Sequence, residues 1–453
     1  MRTAAVSFLS FVLVACGNTS SSTSSAPPDD AATNDDASVG VPSIDGGLGV
    51  DAAGRDGGVA DAALEPIPSI DPTPPAPCAA ATPQNDHYQF LDDVCHAKVF
   101  PKDATRDFAC PQVATSLDAT TPDNRLVHYV AAGDPIVVDD ALIGVVPAAL
   151  DVMVILVRRM NGVPYFRYVS NGTSDAAFQP WSSSKFMAAA NGGARLRTAS
   201  SYGVGLTGSV DGIALGDLVT TIVSYRETHG YTSNALGRYF HDIGGRQRAD
   251  DLIHAGWLNR PAAESFGGNY GEPDPGLGFA FVDGANRVTI TPDTAAGPAN
   301  FLSARTIGEF LKRLALHRED ASERLPGIQW PDVATLFYGA ANSAWFPGEM
   351  GGMSDDTAIY VQSAHDIDYL DRRSHGRWRI FSKLGFGNGD IVNAAYACFP
   401  VLDTGGAPVA GAGRELVIVA RLASGGANAF ERDRLLAQYY RTIVPRIIDG
   451  RIP

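Results

Sequence analysis

Residues 180–190 read Pro-Trp-Ser-Ser-Ser-Lys-Phe-Met-Ala-Ala-Ala and place a serine, Ser182, three residues before a lysine, Lys185. If a helix begins near Ser182, the side chains of Ser182 and Lys185 lie one turn apart on the same face. A serine hydroxyl beside a lysine amine can serve as a nucleophile when the amine is neutral, and burial or nearby positive charge lowers a lysine pKa. The competing interpretation is a serine-rich helix cap followed by a solvated lysine.

Lysine is scarce in this chain, which favours the chemical interpretation. Only five of the 35 basic residues are lysines, and arginine occupies the other basic positions. Because arginine does not lose its proton, a lysine kept against this background indicates chemistry. Lys312, on the face of a predicted helix, is interpreted as simply solvated. The lysines are Lys98, Lys102, Lys185, Lys312 and Lys383.

Strand patterns flank a helical middle. Residues 151–159 are rich in β-formers, Asn161-Gly162 predicts a hairpin turn, and residues 163–169 form the returning strand. Further strands are predicted at 377–383, 391–401 and 415–423. Amphipathic helices are predicted at 306–317 and from Phe430 to about Val444, where Pro445 ends the second.

This order of elements predicts an α+β fold. Strands from both ends form one antiparallel sheet, the C-terminal helix lies on it, and a mostly helical subdomain from Ser182 to about Leu370 is inserted between them.

Two later stretches carry further polar residues. Residues 230–236 read Gly-Tyr-Thr-Ser-Asn-Ala-Leu, and residues 380–387 read Ile-Phe-Ser-Lys-Leu-Gly-Phe-Gly on a predicted strand. Together with residues 182–185, they resemble the SxxK, SxN and KTG motifs of the penicillin-binding transpeptidase and class A β-lactamase superfamily. The order of the motifs also matches, and the resemblance covers roughly Leu150 to the C-terminus.

The resemblance implies a role for each matching residue. Ser182 is expected to be the acylated nucleophile and Lys185 its base, while Lys383 faces the substrate carboxylate and Asn234 binds the substrate amide. The backbone around Gly385, with the N–H groups of Ser182 and Phe386, is expected to form the oxyanion hole. Thr232 takes the place of the serine in the second motif.

The sequence departs from the family pattern in three respects. Thr232 keeps a hydroxyl but adds a methyl group, and Leu384 replaces the hydroxyl of the third motif. The deacylating glutamate of class A β-lactamases has no clear counterpart, although Glu264 and Glu272 lie in the corresponding loop region.

Three interpretations are therefore carried forward. The chain is an acyl-enzyme-forming serine hydrolase acting on peptidoglycan stem peptides or another amide or ester, a β-lactamase proper, or a catalytically inactive relative with a binding or structural role in the envelope. No cofactor is expected.

The N-terminus resembles a bacterial lipoprotein signal. Arg2 precedes an apolar stretch too short to span a bilayer, and residues 13–16 read Leu-Val-Ala-Cys. We expect cleavage after residue 15, lipidation of Cys16 and anchoring to a membrane. Because Gly17 rather than aspartate follows the cysteine, the outer membrane is the expected site in a host that has one.

Residues 16–77 are predicted to be a disordered acidic tether. From residue 17 they contain ten acids and one base, so −9 of the chain's net charge of −15 lies there. Such a segment cannot bury enough apolar surface to offset the entropy of ordering it. The rest of the chain has no basic stripe, so nucleic acid is not an expected partner.

Beyond Cys16, four cysteines allow three disulfide pairings in an exported protein. The favoured pairing is Cys95–Cys110 and Cys78–Cys398. No metal-ligand spacing is found, and His365–Asp368 is interpreted as a solvated loop. The expected organisation is a signal peptide at 1–15, the tether at 16–77, a small cysteine-containing region at 78–140, and a transpeptidase-like domain at 141–453.

Overall fold

The structure is a computed structural model that describes residues 106, 109–111, 114–224, 228–347, 350–354, 370, 374–387, 390–423 and 429–453. The predicted signal peptide and tether, Cys16, Cys78, Cys95 and His365–Asp368 lie outside these residues. All described residues belong to one compact unit. No helix within them has the length and apolar character needed to cross a bilayer.

The central sheet joins both ends of the described chain. Its long strands are β5 (Leu150–Met160), β6 (Val163–Ser170), β13 (Arg379–Gly387), β14 (Asp390–Phe399) and β15 (Arg414–Leu422). The strand order is β13-β14-β15-β5-β6, all antiparallel, with Val154 of β5 opposite Ile418 of β15. The predicted pairing of N- and C-terminal strands, and with it the α+β class, is confirmed.

Two short strands extend this sheet beyond β6. They are β3 (Val130–Ala131), which pairs antiparallel with β6, and β4 (Val138–Asp139), which pairs parallel with it. The N-terminal region predicted from the sequence ends at residue 140, whereas Val130–Ala131 and Val138–Asp139 already belong to the sheet. The hairpin of β1 (Asp118–Thr120) and β2 (Leu126–His128) precedes them.

The inserted block is mostly helical, as predicted. Its helices are α1 (Lys185–Ala199), α2 (Leu215–Ser224), α3 (Ser233–Gly244), α4 (Arg246–Ile253), α5 (Ala304–Ala315) and α6 (Trp330–Tyr338). Its short strands are β7 (Ala177–Phe178), β8 (Ser209–Val210), β9 (Ile213–Ala214), β10 (Ala280–Asp283), β11 (Asn286–Thr289) and β12 (Leu302–Ser303).

Helices cover both faces of the sheet. A Cβ added at Gly308 of α5 would lie 3.4 Å from Ile155 and 3.6 Å from Val419, so α5 packs on the face to which these side chains point. The Tyr440 hydroxyl of α7 (Ala429–Ile448) donates to Asn393 Oδ1, 2.7 Å away. The register places Asn393 on the opposite face, because side chains alternate along a strand.

The end predicted for the last helix is wrong. The helix was expected to stop at Pro445, but α7 runs through this proline to Ile448. Proline in a helix interior removes one backbone hydrogen bond and costs about 3 kcal/mol. Val444, Ile447 and Ile448 are all buried, and their burial offsets that cost.

The favoured disulfide pairing is also wrong. Cys110 is bonded to Cys398, with 5.7 Å between the Cα atoms and 288 residues between them in sequence. Both cysteines are buried in the core, where β14 and the segment before β1 meet. The local clip Cys95–Cys110 is therefore excluded.

Lys312 is buried and does not take the solvated role expected for it. Its amine lies 3.1 Å from both Glu309 and Glu323 and donates to the Tyr168 hydroxyl. These groups line a cavity of about 310 Å³ that involves none of the three motifs.

Candidate functional site

Helices α1 and α3 pack closely because α1 is rich in small residues. A Cβ added at Gly192 would lie 2.9 Å from the Phe240 ring of α3, and Ala188, Ala189 and Ala190 are all buried. This close packing brings the beginning of α1 against the beginning of α3. The side chains of the first two motifs therefore meet at one end of the helix pair.

A 3₁₀ turn, Trp181–Ser184, precedes α1 and holds its serines in different ways. The Ser183 hydroxyl donates to Pro180 O at 2.6 Å, and the Ser184 hydroxyl donates to Trp181 O at 3.1 Å. The half-buried Ser182 hydroxyl makes no hydrogen bond to any residue that the structure describes. The α-helix was expected to begin near Ser182, but it begins at Lys185.

The Lys185 side chain is completely buried. Its amine donates to Ser233 Oγ at 3.0 Å and to Asn234 Oδ1. Within the described ranges no hydrogen bond joins the Lys185 amine to Ser182, which lies on the adjoining turn. The structure thus brings Lys185 and Asn234 into hydrogen-bond contact, and no described residue occupies the Ser182 hydroxyl.

The second motif differs in detail from the prediction. Thr232 is the N-cap of α3, and its hydroxyl accepts a hydrogen bond from the Ala235 N–H. Ser233, which the sequence analysis did not select, accepts from Lys185 and donates to Ile222 O at 2.8 Å. Because the Thr232 hydroxyl caps α3, it points to its own helix, and the Ser233 hydroxyl contacts the Lys185 amine instead. Residues 232–234 read Thr-Ser-Asn, so the sequence offered a second hydroxyl, that of Ser233, next to the one that was selected.

Strand β13 lies directly against the Ser182 turn. A Cβ added at Gly385 would lie 2.5 Å from both Pro180 O and Ser183 N, so only glycine permits this approach. A Cβ added at Gly387 would meet the Trp181 ring, and Trp181 itself has a positive φ of 52°. This contact places the third motif beside the first, as the resemblance implied.

The other side chains of the third motif alternate along β13. Lys383 and Leu384 are both buried, and Phe386 is half-buried. Leu384 puts an isobutyl group at the position where the KTG motif that this stretch resembles has a hydroxyl, so this strand position supplies no side-chain hydrogen bond.

A second residue that the sequence analysis missed is Tyr270, in the loop between α4 and β10. Its hydroxyl lies 3.0 Å from Ser184 Oγ, and the Lys185 amine lies 5.1 Å from the centre of its ring. The ring stacks on His241 at 5.6 Å. Burial raises the pKa of the Tyr270 hydroxyl, and it lowers the pKa of His241 to about 3. No local sequence signal marks this tyrosine, because the loop that carries it is placed by tertiary contacts.

Neither glutamate of this loop contacts Lys185 in the described part of the chain. Glu264 is buried and accepts hydrogen bonds from the Ser303 N–H, the Ser303 hydroxyl and Arg260. Glu264 therefore fixes the loop to the start of α5. The half-buried Glu272 has its backbone oxygen, rather than its carboxylate, bonded to Arg238.

The described ranges contain no group of three or more histidine, cysteine, aspartate or glutamate side chains placed to hold a metal ion. The polar groups at the site are a serine hydroxyl, a buried amine, an amide, and the backbone of a strand. This set can support nucleophilic attack and proton transfer on a carbonyl compound.

Solved structures of class A β-lactamases and of PBP-A are similar to this chain. A variant of the last common ancestor of Gram-negative bacterial class A β-lactamases has a TM-score of 0.39 and 13% identity, with 66% of this chain and 93% of that chain covered. A class A β-lactamase from Bacteroides cellulosilyticus has a TM-score of 0.36 and 11% identity, with 66% and 92% covered.

PBP-A has a TM-score of 0.37 and 11% identity, with 67% of this chain and 92% of that chain covered. These likenesses concern the fold alone. No family model and no curated protein sequence matches the chain.

Proposed function

We propose that this chain is an exported, lipid-anchored serine hydrolase that forms an acyl-enzyme with peptidoglycan-type peptides or β-lactams. One observation carries the proposal. The completely buried Lys185 amine is held by Ser233 and Asn234, one turn from the Ser182 hydroxyl, which makes no hydrogen bond to a described residue. Burial disfavours the charged form of an amine, which is the condition for a lysine to act as a base.

The chemistry follows from these groups. Ser182 Oγ attacks the carbonyl carbon of the amide or lactam, and its proton passes to the Lys185 amine. The tetrahedral intermediate then collapses, the C–N bond breaks, and the proton passes from Lys185 to the leaving nitrogen. The acyl group is left on Ser182 as an ester. The Ser182–Lys185 contact forms when substrate binds, since catalytic hydrogen bonds are often long in a free enzyme.

The remaining residues bind substrate in this proposal. The N–H groups of Ser182 and Phe386 stabilise the developing oxyanion, and each donor of this kind contributes about 3–4 kcal/mol. Gly385 permits the necessary approach of the strand to the turn. Asn234 binds the substrate amide, and Lys383 faces the substrate carboxylate.

Labelling with a fluorescent penicillin tests this proposal. The wild-type chain should be labelled, and Ser182→Ala should abolish the label. Ser183→Ala is the matched control, because its hydroxyl is bonded within the same turn, and it should stay labelled. Lys185→Arg should label about 10²–10⁴ times more slowly, because guanidinium stays protonated. A Lys185→Met variant tests the same role with an uncharged side chain that fits the buried site.

The anchor is tested separately. We infer that Cys16 is the lipidated N-terminus and holds the protein on the envelope face of a membrane. Cys16→Ser should move the protein from the membrane fraction to the soluble fraction. Retention of this variant on membranes after a high-salt wash would place the anchor elsewhere.

A second candidate function is an inactive envelope protein that binds ligands on the same fold. The observation in its favour is Leu384, a buried apolar side chain in place of the hydroxyl of the third motif. Absence of labelling in a folded wild-type protein would support this candidate. Rapid turnover of nitrocefin would instead indicate a β-lactamase. This outcome is disfavoured because the Glu264 carboxylate is bonded to Ser303 and so is not placed to activate a water molecule for deacylation.

A further inference from the structure

Tyr270 closes one side of the Lys185 site. Its ring lies against α3 at Gly237, where an added Cβ would come 2.7 Å from the tyrosine ring and 3.2 Å from Lys185 Cε. The absence of a side chain at Gly237 therefore makes room for both the ring and the lysine stem. The Tyr270 hydroxyl reaches Ser184, and the ring faces the Lys185 amine. Tyr270 thus contacts both Ser184 and Lys185.

The loop that carries Tyr270 is firmly held. Asn300 Oδ1 accepts hydrogen bonds from the Gly267 and Gly268 N–H groups, and Asp250 accepts one from the Phe266 N–H. The Tyr270 ring also stacks on the buried ring of His241, with 5.6 Å between the ring centres. The position of the tyrosine beside the amine is therefore held by its own ring contacts and by the hydrogen bonds of its loop.

Hydrolysis of an acyl-enzyme needs a water molecule and a base to activate it. Tyr270 cannot supply the base at neutral pH, because burial raises the pKa of its hydroxyl and keeps it protonated. Glu264, in the same loop, has its carboxylate bonded to Ser303 and Arg260. The groups that this loop presents to the amine are thus an aromatic face and a protonated phenol.

We propose that Tyr270 is a positioning residue that fixes Lys185 and excludes water from its side of the site, so that the ester on Ser182 is hydrolysed slowly. The proposal rests on the proposed function, because it concerns the fate of the same acyl-enzyme. In the slow step, a water oxygen bonds to the ester carbonyl carbon and the C–Oγ bond breaks. One water proton returns to Ser182, and the acid is released.

The lifetime of the penicilloyl adduct tests this inference. The full-length protein is incubated with benzylpenicillin, excess drug is removed, and intact mass is followed over time. The wild-type adduct should persist for hours. Tyr270→Phe keeps the ring and should retain that lifetime within about twofold. Tyr270→Ala removes the ring that excludes water and should shorten the lifetime by about tenfold or more. A tenfold change corresponds to about 1.4 kcal/mol in the barrier to hydrolysis.

The outcomes separate the two proposals. A folded wild-type protein that forms no adduct contradicts the proposed function itself. A wild-type adduct that disappears within seconds to minutes overturns the role of Tyr270 while leaving acylation intact, and so does an equal lifetime in Tyr270→Ala and wild type. If Tyr270→Ala does not fold, Tyr270→Ser takes its place, and a Tyr270→Ser adduct as long-lived as that of wild type overturns the role of Tyr270.

Discussion

The contact between Gly385 and the Ser182 turn gives a sharp structural prediction. In Gly385→Ala, the new methyl carbon would lie 2.5 Å from Pro180 O and Ser183 N, both of them backbone atoms. Non-bonded heavy atoms prefer separations of about 3.5 Å, so strand and turn must separate by about 1 Å. Overpacking of this kind typically lowers the free energy of unfolding by about 1–3 kcal/mol.

The same displacement should act on the acylation rate. A misplacement of about 1 Å can cost about 100-fold in rate, because the reacting groups must be held in a near-attack geometry. Stopped-flow acylation by a chromogenic β-lactam measures this rate, and urea denaturation measures stability. The expected result is a fall in the acylation rate of about 100-fold, together with the loss of stability.

Gly308→Ala is the matched control for this substitution. The nearest atoms to its added Cβ lie at 3.4, 3.6 and 3.8 Å, which are ordinary contacts, and the position lies within α5. Replacing a helical glycine by alanine stabilises a helix by about 0.5–1 kcal/mol, and acylation should not change. If Gly385→Ala acylates and unfolds like wild type, the close approach of β13 to the turn is refuted.

Three further predictions concern stability. Asp332 is fully buried and accepts hydrogen bonds from Arg197 through both carboxylate oxygens. Because Asp332→Ala leaves the buried Arg197 charge without this partner, it should lower the free energy of unfolding by about 3–5 kcal/mol. A loss under about 1 kcal/mol in urea denaturation would contradict this role. Replacing Cys110 and Cys398 together by alanine should cost about 2–4 kcal/mol relative to the oxidised protein, and equal melting temperatures would count against the bond. His241 stays neutral in the folded protein down to about pH 3, whereas its unfolded pKa is 6.5, so its contribution to stability is complete above pH 6.5 and is lost as pH falls. The difference in unfolding free energy between wild type and His241→Phe should therefore change by up to about 1.4 kcal/mol per pH unit between pH 6 and pH 4. A difference that does not depend on pH would contradict the neutral state of His241 in the folded protein.

The sheet was predictable because its strands carry strong local patterns. Residues 151–169 contain β-formers on both sides of an Asn-Gly turn, and the structure forms β5 and β6 there. The three C-terminal strands lie within two residues of their predicted starts and within four of their predicted ends. The two-residue strands β3 and β4 were not predicted, because periodicity cannot be read from so short a segment.

The site was predictable in part. Lys185 and Asn234 were both selected from the sequence because each lies in a motif of known order, and Gly385 was selected on the third motif; the direct hydrogen bond between Lys185 and Asn234 was not predicted. The choice between Thr232 and Ser233 depends on which hydroxyl caps α3, and capping geometry follows from the folded loop. Tyr270 reaches the site through contacts of its loop with Asn300 and Asp250, which no local pattern reveals.

The proposed function requires that Ser182 is the residue that becomes acylated. The most direct test is peptide mapping by mass spectrometry after incubation with benzylpenicillin and rapid acid quenching. Neighbouring serines make the test demanding, because Ser183 and Ser184 lie in the same turn and Ser233 bonds Lys185 directly. We expect the added mass on Ser182 in the wild-type protein and its loss in Lys185→Met. Added mass on Ser233 or Ser184, or no added mass on a folded protein, would contradict it.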